Sequence, residues 1–183
     1  MEKKKNHQLI GSVMAISSGA LWALAGLMGQ TFFENFHGSP EWITSTRLLF
    51  SGIILLIYGY IRQGKALFAI WREKTSVFHL ILFAIFGMLG VQFTFYKTIE
   101  LSNASTGTVL QFIAPIFILL YQVFFLKKKV KPLTIFLVLL TVVGIVLLVT
   151  HGDFGHLQIS SLAIFTGVIS ALALAFLPCF QFI

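Results

Sequence analysis

A chain of 183 residues that is 57% hydrophobic and only 10% charged, with a mean hydropathy of +0.93, does not have the make-up of a water-soluble domain. Its formal net charge of +7 could suggest a nucleic-acid partner, but the placement of the basic residues excludes that reading, as shown below. A single cysteine, Cys179, excludes an internal disulfide and a cysteine-cluster metal site.

Residues 1–8 are polar and carry Lys3, Lys4 and Lys5; an apolar run follows over 9–33. The basic start, the apolar stretch and the small-x-small site Ala23-Leu24-Ala25 mimic a secretory signal. The run is too long for a signal's apolar region, and it opens a series of such runs. The others lie at 43–61, 77–96, 104–126, 133–150 and 160–182. Each is close to the ~20 residues that cross a bilayer's hydrocarbon core. The expected fold class is therefore an all-α membrane protein of about six transmembrane helices.

The connecting segments sort by charge. The N-terminus, residues 62–74 (Arg62, Lys65, Arg72, Lys74) and residues 127–131 (Lys127, Lys128, Lys129, Lys131) hold eleven of the thirteen Lys and Arg. The intervening connections near 34–41, 100–103 and 151–156 hold none. This alternation follows the positive-inside rule and places residues 1–8 in the cytoplasm. The plasma membrane of a bacterial cell is the expected location. The basic residues are topology signals that can also meet anionic headgroups. They do not form a nucleic-acid patch.

Arg47 and Lys97 remain, each within about two helical turns of the outer face. Snorkelling to the interface explains both. Charges within spans also mark function, so both are kept as candidate charged contributors. Lys97 has Glu100 three positions on, a helix-surface pair.

Residues 92–131 organise the chain: the end of one apolar helix, a polar turn at 100–106 and a second apolar helix closed by lysines. A turn that short makes an antiparallel helix hairpin. Inside the second helix, Pro115 lacks the N–H that would bond the carbonyl of Gln111. The freed carbonyl and the Gln111 amide lie at one level, where protein or a cavity must satisfy them. Gln122, eleven positions on, falls on the same face of a continuous helix. Two readings stand: a kinked helix whose glutamines bond to neighbouring helices, or a cavity-lining face. The candidate substrate-binding set is Trp22, Gln92, Tyr96, Gln111 and Pro115, neutral polar and aromatic groups able to orient a small solute. Gln92 and Tyr96 lie one turn apart.

The sequence also repeats. With an offset of 148, eight of 21 positions from Ser12–Ser160 to Phe32–Phe180 are identical. The small-residue ridge Gly11, Ala15, Gly19, Ala23 reappears as Ala163, Gly167, Ala171, and such ridges let helix backbones approach closely. Five spans separate the copies, so the second starts on the opposite side of the membrane, as in inverted-repeat transporters. The division expected is 1–8 as N-terminus, 9–151 as a first five-helix repeat, and 152–183 as an outer loop with the first helix of an incomplete second repeat.

Several local patterns together resemble the EamA family of the drug/metabolite transporter superfamily. They are Trp22 among small residues from Ala20 to Gly26, Arg47 near the start of the second span, and Phe95-Tyr96 ending the third. Ser102-Asn103-Ala104-Ser105, Ala114-Pro115 and Val143-Gly144-Ile145-Val146 follow. The chain departs from the family where Lys127 to Lys129 replace a glutamate common after the fourth helix, and where Leu177-Pro178-Cys179-Phe180 follows Ala175-Phe176. The resemblance implies a ten-helix, two-repeat secondary transporter or exporter of small metabolites or drugs, here incomplete. The alternative is a truncated or non-transporting membrane protein that needs a partner half.

Enzyme chemistry is not expected, because the single aspartate, Asp153, and the histidines lie outside the spans or at a helix start. No phosphate-binding glycine loop or metal-ligand spacing occurs, and no cofactor is expected. The expected partners are the lipid bilayer, a small-molecule substrate, and a second-repeat half or another copy of the chain.

Overall fold

The computed structural model describes residues 2–127, 130–150 and 159–179, with side chains over 9–127, 130–147 and 159–177. The readings made on Lys128, Lys129, the 151–158 connection and Phe180 fall outside the described residues. Among the described residues there is no strand.

Helix α1 spans Glu2–Phe36 and α2 spans Pro40–Gln63. Ser39 caps α2, its hydroxyl accepting from the Trp42 N–H, and Pro40 sits where a missing N–H costs nothing. A short 3₁₀ segment, Gly64–Arg72, follows where the charge pattern predicts a loop. The next helix begins as α3 (Lys74–Leu82), widens into a π-helical stretch over Phe83–Leu89, and continues as α4 (Gly90–Leu101). The polar turn is tighter than predicted, consisting of Ser102 and Asn103 alone. Asn103 caps α5 by accepting from the Thr106 N–H at 2.7 Å, while the Gln30 amide oxygen of α1 accepts from the Ala104 N–H at 2.8 Å. Together they satisfy backbone donors that a membrane would leave exposed.

The second helix of the hairpin is two helices, α5 (Ala104–Gln111) and α6 (Ala114–Phe124). The break is stronger than the expected kink. Helices α7 (Pro132–Thr150) and α8 (Ser161–Cys179) complete the chain. By length and composition, Leu9–Phe36, Pro40–Arg72, Lys74–Leu101 and Ala104–Phe124 suffice to cross a bilayer; α7 and α8 supply two shorter apolar stretches. Large apolar side chains such as Met14, Leu49, Phe50, Ile61 and Phe136 are exposed, which suits lipid and not water.

Helix α4 is the hub, with α1, α2, α5 and α8 all packed on it. One buried cluster joins Phe95, Tyr96, Ile99 and Ala104, with Trp22, Phe33 and Ile43 against it. A second joins Ala114, Ala171 and Ala175 between α6 and α8. The two copies of the small-residue ridge behave differently. On α8, Ala163 and Ala171 are fully buried and Gly167 sits against Leu110 of α5. On α1, a Cβ at Gly11 or Gly19 would meet nothing within 4 Å, so these two positions of the first ridge make no close helix contact among the described residues.

Candidate functional site

Two polar clusters sit on either side of α4. In the first, Arg47 of α2 donates through Nη1 to the Tyr96 hydroxyl at 2.6 Å, and Tyr96 donates onward to the Ala25 carbonyl of α1 at 3.5 Å. The guanidinium carbon also lies 5.9 Å from the centre of the Tyr96 ring, within cation–π range. Tyr96 is 1% exposed, so its hydroxyl has to be satisfied internally, and Arg47 does this. The sequence leaves Arg47 as either a snorkelling residue or a charged contributor, and Tyr96 as either a packing residue or a cavity wall; the fold makes them partners. Trp22 lies tilted at 57° to Phe95, with ring centres 6.0 Å apart, as part of the packed cluster. Lys97 pairs with Glu100, as its spacing predicts. Thr44, one turn before Arg47, is 1% exposed and its hydroxyl has no partner among the described residues.

The second cluster forms at the helix break. Pro115 cannot donate to Gln111, and the chain tightens there: the Phe112 N–H bonds the Val109 carbonyl and the Ile113 N–H bonds the Leu110 carbonyl, both at 3.1 Å. The Gln111 amide then donates through Nε2 to the Ser170 hydroxyl of α8 at 2.8 Å, and Ser170 donates to the Val91 carbonyl of α4 at 3.2 Å. Gln111 is 6% exposed and Ser170 fully buried, so three helices are tied at one buried point. Two turns nearer the 102–103 hairpin, the Thr98 and Thr166 hydroxyls lie 2.9 Å apart and tie α4 to α8 again.

The two readings of Gln111 prove compatible. It bonds a neighbouring helix, and it also lines a groove of about 530 Å³ with Phe83, Phe112, Pro115, Leu174 and Leu177. Gln92 is buried on α4 beside Val91, between the two clusters. Gln122 lies past the break and is half-buried, so the shared face drawn on a continuous helix does not carry across. Sequence reasoning missed Ser170. It falls opposite Trp22 in the repeat alignment, one of many non-identical positions, so the sequence does not mark it.

Residues 9–150 match the EamA-like transporter family. The chain belongs to that family. Over 168 residues it is also 38% identical to a protein of Salmonella typhimurium described as an uncharacterised inner membrane transporter, YicL. That match covers 91% of this chain and 55% of the relative, so the chain spans about half the length of the curated relative it matches. No solved structure matches the chain. The family assignment accounts for the all-helical membrane fold, and the helix break and groove described above lie inside the matched EamA region, except for the wall supplied by α8.

Proposed function

We propose that this EamA chain is the substrate-gripping part of a secondary transporter of the plasma membrane, moving small amphipathic metabolites or drugs by alternating access between inverted repeats. The observation that carries the reading is the interruption between α5 and α6, which opens onto the 530 Å³ groove. Transporter sites are commonly built at such discontinuous helices near mid-membrane, where unwound backbone faces a cavity. The groove is mainly apolar with one amide, which suits a solute having an apolar body and one hydrogen-bonding head. In this reading Gln111 holds the head, and Arg47 with Tyr96 fixes α2 and α1 against α4.

The test uses this chain co-expressed with the part of the Salmonella relative that it does not span. Metabolites in the growth medium are compared with those from cells carrying Gln111→Leu. The parent pair should enrich at least one small solute outside the cells. The variant should lower that flux on the order of tenfold, the worth of one hydrogen bond of about 1.4 kcal/mol. Indistinguishable media from two equally abundant, membrane-inserted proteins would remove the groove from the transport path.

Orientation follows from the basic connections, with residues 1–8 and 62–74 in the cytoplasm. In a Cys179→Ser background, Phe36→Cys should react in intact cells with a thiol reagent that does not cross membranes, and Gln63→Cys should react only after lysis. Labelling of Gln63→Cys in intact cells would invert the topology.

A further inference from the structure

The segment Gly64–Arg72 takes no part in the groove, and its geometry points to a different ligand. At Gly64 the backbone turns with φ +57°, a conformation that suits glycine, and the chain folds back on α2. Leu67 packs against the Gly59 position, and the Phe68 ring lies 6.4 Å from that of Tyr60. With three residues per turn, Lys65, Phe68 and Trp71 fall in one row and Ala66, Ala69 and Arg72 in the next. Between the rows runs a groove of about 500 Å³ lined by Lys65, Ala66, Phe68, Ala69 and Arg72. Two alanines, one aromatic ring and two cations make up its lining.

No carboxylate lines it, and neither Lys65 nor Arg72 has a hydrogen-bond or ion-pair partner among the described residues. Glu73, the acid next to Arg72 in sequence, accepts from the Ser76 hydroxyl at 2.7 Å. Arg62 and Lys74 flank the segment and add to the positive field. Phe68 lines the groove, and Trp71, 62% exposed and three positions on in the same row, extends an aromatic edge beside it of the kind that sits at the boundary between headgroups and acyl chains. We propose that this groove binds the headgroup of an anionic phospholipid, with Lys65 and Arg72 on the phosphate and Phe68 and Trp71 against the upper acyl chain. Charge complementarity selects the anionic headgroup, and the aromatic row selects a lipid over a free anion. The proposal does not depend on the transport reading.

The chain has three tryptophans, so Trp22→Phe with Trp42→Phe leaves Trp71 as the only emitter. In phosphatidylcholine vesicles containing a minor fraction of phosphatidylglycerol, either lipid can carry bromine near the top of its acyl chains. Brominated phosphatidylglycerol should quench Trp71 about twofold or more beyond brominated phosphatidylcholine at equal mole fraction. Lys65→Gln with Arg72→Gln should remove that difference, and Lys131→Gln should not. Equal quenching by the two lipids in the parent protein would overturn the proposal. So would loss of the difference on adding inorganic phosphate, which would make the ligand a free anion. Should the tryptophan substitutions prevent folding, mass spectrometry of the unaltered chain from detergent reads the same property. Phosphatidylglycerol adducts should exceed phosphatidylcholine adducts and fall in the double glutamine variant; adducts unchanged by that substitution would again overturn it.

Discussion

Gly167→Leu is expected to loosen α8 from the hairpin and lower the protein's thermal midpoint in detergent. A Cβ at Gly167 would stand 2.5 Å from Leu110 Cδ1 and 2.8 Å from Leu110 Cβ. The second of these atoms cannot swing away, and Leu110 is itself buried on α5. Helices α5 and α8 would have to separate, at a cost of about 1–3 kcal/mol as for other overpacked sites. The separation would also stretch the bond from Gln111 to Ser170. The repeat supplies its own control: Gly19 is the aligned residue on α1, where an added Cβ meets nothing within 4 Å. Gly19→Leu should therefore leave the midpoint where it is. Equal midpoints for Gly167→Leu and the parent protein would mean that α8 is not seated on α5.

The contrast between those two glycines shows what the sequence could and could not reveal. Periodic small residues mark a face able to approach another helix closely, and both ridges are legible on that ground. Which ridge finds a partner depends on helices distant in sequence. In the same way, Pro115 and Gln111 announced an irregular, polar point in the membrane, because proline's missing donor is a local fact. The depth of the break, and Ser170 as the partner, come from α8 docking 59 positions away. Arg47 and Tyr96 are 49 positions apart, so their bond could not be read from either helix alone. The π-helical stretch left no local mark, since its apolar residues read equally well as an ordinary span. The 3₁₀ segment looked like a loop because its four flanking and internal basic residues outweigh a short amphipathic pattern.

Vesicles containing this chain alone should show no substrate flux, and co-reconstitution with the portion of the relative that the chain does not span should restore it. An alternating-access transporter exposes one site to each side in turn by moving one repeat against the other. Here the groove by Gln111 has α8 as one wall and no opposing gate among the described residues. On the sequence alone the Gln111 amide has no assigned partner, and left unsatisfied in lipid it would cost several kcal/mol. Ser170 changes that expectation, because it satisfies the amide within the chain. The expected loss is therefore one of transport more than of folding. Flux measured with tracer solutes in vesicles holding only this chain would defeat the prediction, and an antiparallel pair of identical chains would then be the better assembly.

The stretch between the π-helical turn and the α5–α6 break has a mechanical consequence. Residues 90–111 form a helical hairpin tip bounded at both bases by irregular backbone, at Phe83–Leu89 and at 112–113. Regular helix resists bending, so flexure concentrates at these two joints. Twelve residues of α4 make a lever of about 18 Å, so a tilt of about 10° at its base carries Ser102 and Asn103 about 3 Å sideways. The cross-links from Ser170 to Val91 and from Thr166 to Thr98 clamp α8 to that lever. Leverage at the hairpin is thus transmitted to α8, the helix that the repeat alignment pairs with α1.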